Sequence, residues 1–452
     1  MLDTMGQAYI YPLFRYGPQI ADPVGVLAPR DNNTRTARKK GIKSVAQRPC
    51  RIMAYVHYPM ISSDMLQSVR DRRPTYNNNS SISQSENASN VKLLYYRIIA
   101  LSYAAVGKMA DLVYVNSSWT EAHIASLWGL QKEKEGESEG KGRGSVNSRS
   151  VHKLYPPCNT SDLLGIPLGR EGGDGNDEGK GGVWDDIQAK EEEEYVISVG
   201  QFRPEKDHSL QLRAFQLVIK SQRQAAITFA ESREENGEWL NNNGVKPRKM
   251  PLGSKKKKTV LVLLGSTRNA ADDQMVANLK TEAESLGLGS HVRFEVNVPY
   301  PVLRRWLARA SVGLHTMWNE HFGISIVEMM AAGLVVVAHN SGGPKADIVN
   351  PPVPTDPYQE LEDAAANVPK KKEMDVYTGY LASTAEEYSL NMLSALQDAR
   401  EADEQTKSVT QMELEVEGIR MRARTSVQSR FSDEAFTKRV QQDYVEIRKM
   451  MA

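Results

Sequence analysis

Short apolar runs rich in β-branched residues alternate along the chain with longer segments that have helical periodicity. The strand-like runs are residues 51–58, 111–118, 195–202, 259–266, 291–298, 311–317 and 334–340. The helix-like segments are residues 91–107, 118–130, 207–222, 274–288 and 300–310. The strand-like runs are continuously apolar, which is expected when helices cover both faces of a sheet. The alternation therefore predicts parallel α/β sheets with right-handed crossovers.

Several segments interrupt this pattern because they lack apolar periodicity. They are residues 76–90, 131–150, 165–194 and 231–258, and we expect them to be solvated loops. The run of Gly, Asp and Glu in 165–194 indicates a boundary between two α/β halves. The predicted divisions are an N-terminal domain (1–160), a linker (161–194), a second domain (195–430) and a C-terminal helix (431–452).

Composition narrows the class of protein further. The 452 residues are enough for two or three domains, and the net charge of +1 does not favour nucleic acid as a partner. Two cysteines, Cys50 and Cys158, form neither a disulfide framework nor a metal cage, which suits a reducing compartment. The most apolar segment is interrupted by Arg97 and Lys108, so the sequence predicts no spanning helix.

The stretch "WNEHFGISIVEMMAAGLVVVAHNSGGPK" follows a predicted strand and contains the next predicted helix. It carries two carboxylates, Glu320 in the loop before the helix and Glu328 within the helix. Gly323 permits close approach of a ligand, and the following helix N-terminus offers backbone N–H groups to an anion. Carboxylates accept hydrogen bonds from sugar hydroxyls, so this pattern suits a nucleotide-sugar. The alternative is an ordinary amphipathic helix with one exposed glutamate, and the spacing alone leaves both open.

A resemblance to a known family covers much more of the chain. The blocks "YVHYPMISSDML", "VNSSWTEAHI", "YPPCNT", "SVGQFRPEKDHSLQL" and "EHFGISIVEMMAAGLVVVAHNSGGPKADIV" resemble the GDP-mannose-dependent α-1,2-mannosyltransferases of dolichol-linked oligosaccharide assembly. This resemblance implies a retaining glycosyltransferase of the GT-B fold, with two doubly wound Rossmann-like domains facing across a cleft. It implies addition of the fourth and fifth mannoses on the cytosolic face of the endoplasmic reticulum.

The resemblance also implies residue roles in the second domain. Glu320, with the backbone of Phe322, Gly323 and Ile324, matches the positions that hold the transferred sugar and the diphosphate. Glu328 matches the position that holds the ribose.

Three further residues complete the implied site. Lys206 in "RPEK" matches the lysine that neutralises the diphosphate. Arg203 takes the role of an arginine that relatives carry where this chain has Gln201. His57, at the end of a first-domain strand, resembles a histidine that contacts the donor sugar. The alternatives are solvent-exposed charges at a helix start for Arg203 and Lys206, and a structural histidine for His57. No Asp-x-Asp pair is present, so no catalytic divalent metal is implied, and we expect no cofactor besides the donor substrate GDP-mannose.

The start of the chain departs from the family pattern. Members normally begin with a membrane-anchoring apolar helix and a glycine-rich loop, whereas this chain begins near "DTMGQAYIYPLF". We therefore expect the first domain to be incomplete. Two alternatives to an active mannosyltransferase stay open: a non-catalytic remnant that binds a nucleotide-sugar, and another retaining GT-B glycosyltransferase.

The expected partners are GDP-mannose, the dolichol-diphosphate-linked oligosaccharide and the membrane surface, with no nucleic acid; other mannosyltransferases of the pathway are possible partners. Residues 91–108 form a nearly unbroken apolar run with basic residues at both ends. This run predicts a helix in the membrane interface, and a wholly buried core helix is the alternative.

Overall fold

A computed structural model gives the structure of the chain. It describes residues 2–3, 8–11, 51–72, 78, 80–132, 150–158, 160–168, 192–234, 257–350, 377–408 and 418–451. Most of the predicted loop segments 131–150, 165–194 and 231–258 lie outside these residues. The prediction of a loop over 76–90 is wrong in part, because Ser80–Ser83 is helical and a longer helix begins at Glu86. The chain divides into two compact units, one of Met1–Pro156 with the residues from Phe436 onward, the other of Pro157–Ala435.

The first unit is built on a five-stranded parallel sheet in the order β1-β2-β3-β5-β4. Its strands are β1 (Leu2–Asp3), β2 (Met53–Val56), β3 (Leu112–Val115), β4 (Gln131–Lys132) and β5 (Ser150–Lys153). Its helices are α1 (Ser63–Arg70), α2 (Ser80–Ser83), α3 (Glu86–Gly107) and α4 (Ser118–Trp128). Ser117 caps α4, because its hydroxyl accepts from the backbone N–H of Thr120 at 3.1 Å.

The second unit is built on a six-stranded parallel sheet in the order β11-β10-β9-β6-β7-β8. Its strands are β6 (Glu193–Val199), β7 (Lys258–Gly265), β8 (Val292–Val296), β9 (Ala310–Leu314), β10 (Val335–His339) and β11 (Gly379–Ala382). Its helices are α5 (Ser161–Leu164), α6 (His208–Glu234), α7 (Ala270–Ser285), α8 (Tyr300–Arg309), α9 (Ile324–Ala331), α10 (Ala385–Ser408) and α11 (Ile419–Phe431). The last helix, α12 (Asp433–Met451), runs on into the first unit.

The predicted parallel sheets are confirmed in both units. Residues on the central strands of the second sheet are fully buried, as continuous apolar runs require; examples are Val196, Leu263 and Val312. Helix α9 ends at Ala331, and Gly333, which adopts a φ of 80°, follows it closely.

The strand order of the second sheet creates a switch point between β6 and β9. The chain runs from β6 outward through β7 to β8, then returns to pair β9 with the other side of β6. In open α/β sheets, ligands bind beside the carboxyl ends of the strands at such a point. We therefore expect a ligand-binding site at the loops that follow β6 and β9.

Helix α3 has one face in the core and one face in solvent. Tyr96, Ile99 and Tyr103 pack into the core of the first unit. The opposite face exposes Val91, Leu94, Tyr95, Ile98 and Leu101, with relative exposures between 58% and 72%. The wholly buried alternative for residues 91–108 is therefore wrong. Within the described ranges, no helix is long and apolar enough to cross a bilayer.

Candidate functional site

Two loops meet at the switch point of the second sheet. After β6, a short 3-10 helix (Pro204–Lys206) ends at Asp207, which adopts a φ of 45° and caps α6 by accepting from the N–H of Leu210 at 3.1 Å. After β9, residues 315–323 lead into α9. The hydroxyl of Thr316 joins the two loops by donating to the carbonyl of Lys206 at 2.7 Å.

Lys206 and Glu320 form an ion pair across the switch point. The ammonium of Lys206 lies 2.7 Å from Oε2 of Glu320 and 3.2 Å from Sδ of Met317. The other carboxylate oxygen of Glu320 accepts from the backbone N–H of His321 at 3.1 Å. Two predicted site residues that are 114 positions apart are thus in direct contact.

A third group, His315, approaches the same carboxylate. Its Nε2 lies 3.3 Å from Oε2 of Glu320, and its side chain is only 3% exposed. Burial alone would raise the pKa of Glu320, but His315 and Lys206 outweigh it and hold that pKa well below its usual range. Burial lowers the pKa of His315, against the opposing influence of Glu320. The site at neutral pH is therefore an ionised carboxylate between a cation and a neutral imidazole.

Glycines hold the loop of Glu320 in place. Gly323 has a φ of 112°, a conformation that L side chains rarely adopt, and it begins α9 without a side-chain cap. The first N–H groups of α9 can therefore receive an anion. A Cβ at Gly342 would lie 2.3 Å from the carbonyl oxygen of Glu320, so only glycine allows the loop after β10 to approach this closely.

The remaining predicted residues of this unit lie on the same two loops or on α9. Phe322 is buried, whereas Ile324 is 48% exposed at the helix start. Glu328 lies one helical turn further along α9, and burial raises its pKa. The guanidinium of Arg203 lies 3.7 Å from Glu205, at the start of the Lys206 loop.

His57 belongs to the other unit. It directly follows β2, and its ring lies 4.7 Å from that of Tyr55. Burial lowers its pKa. Its sugar-contacting role stays a prediction.

His315 was not among the site residues predicted from the sequence. The signal was present in "SVGLHTM", where a histidine directly follows an apolar strand and precedes Glu320 by five positions. Its side chain could not be placed beside that carboxylate without knowing how the loop turns back.

The arrangement can bind a ligand that is both anionic and hydroxylated. Lys206 and the start of α9 suit phosphate oxygens, while carboxylates suit hydroxyl groups. Among the described residues, no group of three or more His, Cys, Asp or Glu side chains could hold a metal ion.

Known structures with the same architecture define the fold class. Sucrose-phosphate synthase from Thermosynechococcus elongatus matches with a TM-score of 0.50 and 15% identity, covering 92% of this chain and 71% of that protein. An α,α-trehalose-phosphate synthase from Burkholderia xenovorans matches with a TM-score of 0.50 and 12% identity, covering 90% and 70%. The chain has the GT-B glycosyltransferase fold, with two Rossmann-like units, as predicted.

Sequence comparison shows which glycosyltransferases the chain is similar to. Residues 40–128 match the family described as ALG11 mannosyltransferase N-terminus, and residues 248–373 match glycosyl transferases group 1. The chain is similar to curated proteins named GDP-Man:Man(3)GlcNAc(2)-PP-Dol alpha-1,2-mannosyltransferase. Identity is 33% to the Mus musculus protein and 34% to the Homo sapiens protein, each over 96% of this chain and 62% of the relative. The Xenopus laevis protein is 35% identical, over 96% and 63%.

These matches confirm the resemblance predicted from the sequence. The chain spans somewhat less than two thirds of the length of these relatives.

Proposed function

We propose that this chain transfers mannose from GDP-mannose to the dolichol-diphosphate-linked oligosaccharide, as the names of its relatives describe. The observation that carries the proposal is the Lys206–Glu320 pair at the switch point, beside the uncapped start of α9. These groups match the two halves of a nucleotide-sugar: cation and amides for the diphosphate, carboxylate for the sugar hydroxyls. Glu328, further along α9, is proposed to hold the ribose.

In this proposal the protein supplies positioning and charge compensation. The bond between mannose C1 and the phosphate oxygen breaks as C1 bonds to the acceptor 2-hydroxyl oxygen, on the same face of the sugar. The hydroxyl proton passes to the departing phosphate, so the product keeps the α configuration. Lys206, with Arg203 beside it, stabilises the charge that develops on the leaving GDP. No metal is assigned to this step, and His57 is proposed to contact the sugar.

The acceptor of the relatives carries a polyprenyl lipid by name, which favours a membrane surface as the working site of this chain. The exposed face of α3 supports such docking, because five large apolar side chains face solvent there. Residues 91–108 contain Lys92, Arg97 and Lys108 and no acidic residue, so the segment complements anionic headgroups. We infer docking on the cytosolic face of the endoplasmic reticulum membrane through this face.

The experiment that tests the proposed donor site is calorimetric titration of the protein with GDP-mannose. Lys206→Ala should weaken binding by about 1.5–3 kcal/mol, because a charge-assisted contact to phosphate is lost. Glu328→Ala should weaken it less. Lys220→Ala is the matched control, since Lys220 is an exposed lysine of α6 that bonds Gln216 and should leave affinity unchanged. Unchanged affinity in both site variants would remove the nucleotide-sugar assignment.

A second candidate is a nucleotide-sugar-binding protein without transfer, because the groups at the switch point all belong to one unit. Normal GDP-mannose binding with no transfer to the lipid-linked acceptor, by protein that carries the full length of its relatives, would favour this candidate.

A further inference from the structure

The fully buried histidine beside Glu320 has no role in the proposal above. His315 is held from both sides of its backbone: its N–H donates to the carbonyl of Val337 at 3.0 Å, and its carbonyl accepts from the hydroxyl of Tyr388 at 2.9 Å. Tyr388 is itself fully buried. The backbone of His315 is therefore anchored beside the sheet and its ring is buried, whereas the ammonium of Lys206 lies at the end of a long side chain that is 21% exposed.

Binding of a nucleotide-sugar would affect the three groups that contact Glu320 differently; they are the ammonium of Lys206, the imidazole of His315 and the N–H of His321. An arriving diphosphate carries more negative charge than one carboxylate and would draw the ammonium of Lys206 toward it. Glu320 would then lose its nearest cation while remaining mostly buried, and a buried carboxylate without partners is costly. His315 and the N–H of His321 stay in place, because neither competes for phosphate from its position.

We propose that His315 is a positioning residue that holds the Glu320 carboxylate oriented toward the sugar when Lys206 turns to the diphosphate. The inference rests on the proposed function. The contact runs from Nε2 to Oε2 at 3.3 Å without the geometry of a hydrogen bond, and we expect it to tighten into one when the ligand is bound.

The surroundings of His315 favour a neutral ring. Burial lowers its pKa, and the charge of Lys206 lowers it further, against the opposing influence of Glu320. Nearby His208 and His339 are also held neutral, with pKa values lowered to about 4, chiefly by burial. A neutral ring carries one N–H; neither ring nitrogen makes a hydrogen bond among the described residues, but Nε2 is the one that lies 3.3 Å from Oε2 of Glu320. Placing the proton on Nε2 makes the ring a donor to Glu320.

The test compares the affinity of the protein for GDP-mannose with its affinity for GDP. Both ligands share the GDP moiety, so a change of this ratio between the wild type and a His315 variant reports the sugar contact. His315→Gln places an amide N–H near the position of Nε2 and should keep the ratio close to wild type. His315→Asn is equally polar but too short to reach Glu320, and should lower the ratio about tenfold or more, the cost of one hydrogen bond to a charged group. Affinity for GDP alone should change little in either variant.

Two further variants separate positioning from folding. His291→Asn is the matched control, because His291 lies before β8 and bonds the carbonyl of Thr259; it should leave the ratio unchanged. In a Glu320→Ala background, His315→Asn should have no further effect on the ratio.

The outcomes distinguish this inference from the proposed function. Equal ratios for the Gln and Asn variants would overturn the role of His315. So would an equal loss of affinity for GDP and GDP-mannose in the Asn variant, because a purely structural residue would act on both. Failure of the wild-type protein to bind either ligand would instead overturn the proposed function.

Discussion

Helices α3 and α9 are both rich in apolar residues, but α9 is buried and α3 exposes one face. Helix α9 packs against β9 and β10 and is covered by α5 and α11, so Ile326, Val327 and Met330 are fully buried. Helix α3 contacts α1, α2 and α4, yet its outer face exposes Leu94 and Ile98. Apolar content alone therefore does not tell where a helix lies; the elements available to cover its second face decide it.

The largest expected effect is on stability, and it is tested by truncating one isoleucine in each of these two helices. Ile326→Ala should lower the free energy of unfolding of the second unit by about 2–5 kcal/mol, because it leaves a cavity in a close-packed core. Ile98→Ala, on the exposed face of α3, should change unfolding of the first unit by less than about 0.5 kcal/mol. Urea unfolding followed by circular dichroism measures both. Similar losses would mean that α3 is covered in solution.

Two adjacent isoleucines of α3, one exposed and one buried, test whether the exposed face of this helix binds membranes. Ile98→Ser should reduce co-sedimentation with liposomes containing anionic lipid about tenfold, since burying one such side chain contributes about 1.5–3 kcal/mol. Its melting temperature should stay unchanged.

The neighbouring change, Ile99→Ser, supplies the control because Ile99 packs into the core. It should lower the melting temperature instead. Undiminished liposome binding by Ile98→Ser would contradict docking through this face.

A smaller effect concerns pH and two buried histidines of the second unit. His208 and His339 keep pKa values of about 4 in the folded protein, against an ordinary value of 6.5. Between these values the unfolded chain binds more protons, so the stability of the second unit should fall as pH is lowered from 6.5 to 4. His339→Gln should flatten this dependence in unfolding measurements at several pH values. An unaltered slope would show that His339 does not contribute.

The fold was largely predictable from the sequence, because central strands of parallel sheets carry continuous apolar runs. Seven strands appear where such runs predict them, whereas the short strands β1, β4 and β5 and the strand β11 carry too little apolar signal. In the site, the family pattern selected Lys206 and Glu320, and the strand-to-helix pattern located the loop. Their contact could not be predicted, since it depends on the pairing of β6 with β9. The burial of His315 depends on the same long-range packing.

The most direct test of the account is the affinity of Glu320→Gln for GDP. If Lys206 is shared between Glu320 and the diphosphate, removing the carboxylate charge frees the ammonium, and GDP should bind as tightly as to wild type or more tightly. The same variant should lose affinity for GDP-mannose relative to GDP, because the sugar contact is impaired. Calorimetric titration with both ligands gives the two numbers. A loss of GDP affinity as large as that of Lys206→Ala would contradict the claim that these two residues bind different parts of one donor.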